Sequence, residues 1–194
     1  MQPAASFCRL VFAACSWAYT SLSKGQTLNR SLLGNLMMVV LLVPAAGCVS
    51  PAEAHKTVFG SEAAAAVVRD ATTVQAYRLA SPSFFEQTLD KYEMAAGPVA
   101  VPAKQADQLK QLLLDPSSYD FSSAKSCLPD HGVRIEFVHN NRKVDVLLCF
   151  ECRILSVYDG GQSVGGEDFD PINSQLVAIV KQLFPKDQAI QALK

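Results

Sequence analysis

For residues 70–194 the sequence predicts an α+β fold, a small antiparallel sheet (a meander) with two helices packed on one face. Three observations point to it. Val133, Ile135 and Phe137 alternate with Arg134 and Glu136, His139-Asn140-Asn141-Arg142 supplies turn residues, and Val144, Val146 and Leu148 resume the alternation, the pattern of a β-hairpin. From Pro102 to Leu114 the spacing turns helical: Ala106, Leu109, Leu112 and Leu113 share a face, Lys104, Asp107 and Lys110 lie off it, and Asp115-Pro116 ends it. A second helix follows Asp170 as N-cap and Pro171 at the first position, with Ile172, Leu176, Val177, Val180, Leu183 and Phe184 on one stripe and Pro185 as its stop. Sheet and helices each have a single apolar side, so two packed layers are the economical arrangement.

The other elements are shorter. Thr73–Leu79 is rich in β-formers, and residues 97–102 (GPVAVP) form another apolar piece stopped by proline. A third meander strand spans Arg153–Tyr158, Asp159-Gly160-Gly161 closes it, and a short strand around Ser163-Val164 follows. Residues 49–69 are rich in alanine and small polar residues without strand alternation and read as a tether, with a short helix at 61–69.

Charge divides the chain at Cys48. All 18 acidic residues follow it; three of the 17 basic residues (Arg9, Lys24, Arg30) precede it, so residues 49–194 carry 14 basic and 18 acidic groups, a net charge of −4. That balance disfavours nucleic acid as a partner. Residues 1–48 read as a signal peptide: a basic region ending at Arg30, an apolar stretch broken by Asn35 and Pro44, then small residues before a cysteine. The apolar stretch falls short of the ~20 residues that span a bilayer comfortably, which makes a permanent transmembrane helix the weaker reading. Ala45-Ala46-Gly47-Cys48 resembles the lipobox of bacterial lipoproteins, although alanine stands at 45 where leucine is usual. The resemblance implies diacylation of the Cys48 thiol, cleavage ahead of it, and a partner in the membrane itself. A competing small-x-small site at Ala52-Glu53-Ala54 would release a soluble protein instead.

Beyond Cys48 the cysteines are Cys127, Cys149 and Cys152, and an exported chain permits disulfides among them. Cys149-Phe150-Glu151-Cys152 has the spacing of thioredoxin-like redox motifs, yet it runs between two β-rich segments instead of opening a helix. In an extended strand, residues three apart are ~10 Å apart and point to opposite faces, whereas a disulfide needs Cα atoms within ~7 Å. Cys149 and Cys152 therefore bond each other only if Phe150-Glu151 forms a turn or bulge; otherwise Cys127 pairs with one of them and the other stays a thiol. A metal reading uses Cys127, His131, Cys149 and Cys152, four ligands suited to zinc or copper; against it, His131 lies between Asp130 and Gly132 in what reads as a solvated loop. His139 belongs to the hairpin turn. Glu167-Asp168-Phe169-Asp170 lacks the alternating ligands of an EF-hand loop and reads as helix capping.

The segment Asp115–Asp170, with its KSC, VDVLLCFEC and DFDP pieces, resembles a group of exported, lipoprotein-type bacterial domains carrying a CFxC strand segment, a group without an established activity. The resemblance implies a recurring small domain and no chemistry. Nothing in residues 49–194 matches HExxH, a P-loop or a glycine-rich dinucleotide turn, so no cofactor or catalytic residue is expected. Two functions stay open: a membrane-anchored envelope module that binds another envelope component without catalysis, and a periplasmic thiol-redox or metal-binding protein using Cys127, Cys149 and Cys152.

Overall fold

The computed structural model describes residues 49–80 and 85–194; the leader and Cys48 lie outside them. By its contacts, Val49–Lys194 forms one compact unit. Six strands, β1 (Thr73–Leu79), β2 (Met94–Ala100), β3 (Val133–His139), β4 (Arg142–Cys149), β5 (Ile154–Asp159) and β6 (Gln162–Asp168), make one antiparallel sheet in the order β2-β1-β3-β4-β5-β6. The α+β reading holds, with four meander strands in sequence and one earlier hairpin added at the β3 edge.

Turn chemistry fixes the meander. Asn140 and Asn141 have φ of 47° and 64°, and Gly160 and Gly161 have 58° and 83°, the paired positive values that two-residue hairpin turns require. Register then places Ala76, Ile135, Val146 and Val157 side by side, with Phe137 opposite Val144 and Leu148 opposite Leu155. These side chains form one buried face. Pro98, which has no amide to donate, sits on the edge strand β2.

Five helices contribute to the core on that face: α1 (Pro51–Phe59), α2 (Glu62–Asp70), α3 (Ala103–Leu114), α4 (Asn173–Leu183) and α5 (Gln188–Gln191). The α3 and α4 stripes match the periodicity, with Leu109, Leu113, Leu176 and Val180 at most 1% exposed. Asp170 does not cap α4. It begins a 3-10 turn, Asp170–Ile172, and its carboxylate pairs with Lys125 and Arg153. The Lys125 ammonium holds that carboxyl below the usual range.

Residues 49–69 are not a tether. Ser50 caps α1, accepting from the Glu53 amide at 3.3 Å while the Glu53 carboxylate accepts from the Ser50 amide at 3.4 Å, with Pro51 opening the helix and Gly60 (φ 71°) ending it. Ser61 caps α2 through the Ala64 amide at 3.1 Å. Val58, Phe59, Ala64, Ala65 and Val68 are at most 1% exposed. The alanine run is strong helix-forming sequence, and its small side chains allow close approach to the sheet. The same need for space appears at Gly165, where a Cβ would stand 2.5 Å from the Val58 carbonyl oxygen.

Candidate functional site

The second face of the sheet is not simply solvated, because the segment between β1 and β2 crosses it. Residues 87–89 join the start of β6, through a bridge between Thr88 and Gln162 and a hydrogen bond from the Ser163 amide to the Gln87 carbonyl at 3.0 Å. Tyr92 is thereby laid against Leu79, Leu147 and Tyr158, a second buried cluster. His131 enters it from the approach to β3. Its Nδ1 is 3.2 Å from the Tyr92 hydroxyl, its Nε2 is 3.0 Å from the Ser156 hydroxyl, and it is fully buried. The loop reading of His131 is corrected accordingly: a histidine flanked by Asp130 and Gly132 is drawn inward by partners on β5 and the crossing segment.

The tyrosines complete this network. Their hydroxyls are 3.0 Å apart, the Tyr158 hydroxyl donates to the Glu86 carbonyl, and the Glu86 amide donates to Tyr92 at 2.8 Å. Burial pushes both phenol pKa values up, Tyr158 far beyond its ordinary range, so both remain neutral donors. Ser156 and His131 have the spacing of a nucleophile and base. Both are at most 5% exposed, which denies a substrate access to the hydroxyl.

Further along the same face, β3 and β4 set Glu136 directly opposite Asp145. Like charges there would repel. Arg134 lies between them, donating to Asp145 at 2.8 Å and to Glu136 at 3.0 Å, and Lys143 reaches Glu136 at 3.1 Å. The Arg134 guanidinium also covers the Tyr77 ring, 4.7 Å from its centre. Burial raises the Asp145 pKa and Arg134 opposes the rise. The carboxylates are 3% and 2% exposed, a paired ionic strip with no open face.

The sulfur-bearing residues meet at one end of the sheet. Cys127 and Cys152 form a disulfide with Cα atoms 5.9 Å apart, and Cys149 is a buried free thiol. Cys149 ends β4 opposite Ile154, so residues 150–153 are the β4–β5 loop and Phe150-Glu151 is a turn. Arg153 closes the loop with φ of 56°. Two contacts pin it: Lys125 donates to the Cys152 carbonyl at 2.9 Å, and the Phe169 amide donates to the Arg153 carbonyl at 2.9 Å. The Cys152 amide turns inward and donates to the Cys149 sulfur at 3.3 Å.

This geometry dissolves the metal set Cys127, His131, Cys149 and Cys152. Two of its sulfurs are joined to each other, and both His131 nitrogens face hydroxyl partners in the tyrosine network. Among the described residues no group of three or more His, Cys, Asp or Glu side chains could hold a metal ion. His139 ends β3, paired with Arg142 beside the hairpin turn and not within it, and its Nε2 lies 2.8 Å from the Asn140 side-chain amide.

Sequence reasoning missed Tyr92, Tyr158, Ser156 and the Arg134–Asp145 pair. Ser156, Tyr158, Arg134 and Asp145 sit on the outward face of their strands, and Tyr92 lies on the segment that crosses that face. No protein-family model, curated protein or solved structure matches the chain.

Proposed function

We propose that the chain is an exported bacterial envelope lipoprotein, held to a membrane by acylation of Cys48, whose folded part is a non-enzymatic binding or structural module. The observation that carries this is where the described fold begins. The capping box of α1 starts at Ser50, two residues after Cys48. Cleavage ahead of Cys48 leaves the whole compact unit intact, whereas cleavage after Ala54 would remove the cap, Pro51 and the first turn of α1. An N-cap and its box contribute about 1–2 kcal/mol, and Ala54 itself is 1% exposed.

Two further features support an anchored, outward location. The acid-free leader ends in a lipobox-like run, and acyl chains contribute ~0.8 kcal/mol per buried CH₂, enough for a stable hold when two or three are present. The Cys127–Cys152 disulfide suits an oxidising compartment. Non-catalytic use is favoured by the pairing of the polar groups: Glu136 and Asp145 are bound by cations, and the tyrosine hydroxyls bond each other.

The reading makes the membrane and a second envelope component the partners. With only Val49 between Cys48 and the capped helix, the module would ride within ~10 Å of its acyl anchor, given ~3.5 Å per extended residue. Expression of the full chain in a bacterium with a clickable fatty acid tests the anchor. We expect label and membrane partition in the wild type and loss of both in Cys48→Ser. Equal partition of the two proteins would overturn the proposal.

A further inference from the structure

We infer that Cys127, Cys149 and Cys152 form a thiol–disulfide exchange site, in which Cys152 is shared between two alternative bonds and Cys127 is released as a surface thiol. The inference goes beyond the anchoring proposal and rests only on the sulfur geometry. A disulfide between residues of a strand three apart is barred by distance and direction. Here the pair straddles a tight loop instead, the arrangement that brings Cα atoms three residues apart within about 7 Å. The Cys149 sulfur already accepts the Cys152 amide at 3.3 Å, which seats it against the residue whose sulfur it would attack.

The exchange is internal and balanced. Cys149 loses its proton, and its sulfur attacks Sγ of Cys152. The Cys149–Cys152 bond forms as the Cys127–Cys152 bond breaks, and Cys127 leaves as a thiolate that takes up a proton. One disulfide and one thiol stand on each side, so no oxidant or reductant is consumed. The two states differ in what they present outside. Cys149 is 0% exposed and Cys152 6%, whereas Cys127 lies on an exposed segment beside Leu128, which is 68% exposed. Exchange therefore turns an inaccessible thiol into an accessible one, able to meet electrophiles or the disulfide of another molecule. The loop that must adjust is short, and Lys125 and Phe169 hold it by its carbonyl groups without engaging either sulfur.

The full chain, oxidised and folded, is treated with N-ethylmaleimide under native conditions, and the labelled and disulfide-linked peptides are mapped by mass spectrometry. We expect the label to accumulate on Cys127 in molecules that carry a Cys149–Cys152 bond, and this labelling to be lost in Cys149→Ser. Label confined to Cys149, no label on any of the three, or Cys127 labelling that persists in Cys149→Ser would each overturn the inference. The wild-type map alone decides between the first outcomes, so the test stands even if the variant fails to fold.

Discussion

At the scale of single residues, the protein places charge where a two-layer sheet would be expected to meet water and then covers it. Arg134 is the pivot, because it holds two carboxylates that face each other across β3 and β4. Removing one member of a buried ion pair leaves uncompensated charge and costs about 3–5 kcal/mol. Arg134→Met should lower stability by about that much at neutral pH, read from denaturant unfolding. The loss should shrink on acidification. Burial already raises the Asp145 pKa above its ordinary 3.8, so in the variant the folded protein takes up the proton before the unfolded chain does, and the deficit declines as pH falls through the raised value toward 3.8. A loss below ~1 kcal/mol, or one indifferent to pH, would refute the pairing. His131 shows why such residues escape a sequence reading. Its neighbours Asp130 and Gly132 say loop, and the partners that bury it, Tyr92 and Ser156, stand 39 and 25 positions away.

At the scale of elements, legibility followed periodicity. The β3–β4 hairpin and the stripes of α3 and α4 could be read because apolar residues recur at intervals of two or three to four. A short helix at 61–69 was legible and is α2, whereas α1 was read as tether because its nine residues carry only Ala54, Val58 and Phe59 as buried apolar contacts, too few to announce a stripe. The extent of β6 was hidden for a related reason: Gly165 and Gly166 break the alternation that would have announced it. Gly165 lets the α1 backbone lie against the sheet, with backbone oxygens of Val58 and Thr57 only 2.5 and 2.6 Å from where a Cβ would be. Gly165→Ala should therefore force α1 outward and cost about 1–3 kcal/mol in a denaturant titration, the range of overpacking effects. A neutral substitution would mean that α1 is not seated on β6. The cysteine loop was legible only as a condition, namely that Phe150-Glu151 had to turn for Cys149 to approach Cys152; the structure supplies the turn and gives the bond to Cys127.

At the scale of the whole molecule, Cys48 and the helix cap Ser50 stand two positions apart in the sequence. Residues 1–48 hold no acidic residue and an apolar run of sequence, and residues 49–194 hold all 18 acidic residues and a helix capped from its first turn. That junction joins the structural account to the proposed address, since it makes the position of cleavage a matter of fold integrity as well as of sorting. The most direct measurement is the intact mass and N-terminal residue of the protein recovered from bacterial envelopes. The account predicts a chain whose first residue is an acylated Cys48. A chain beginning at His55, or one that still carries residues 1–47 in the cytosolic fraction, would contradict it.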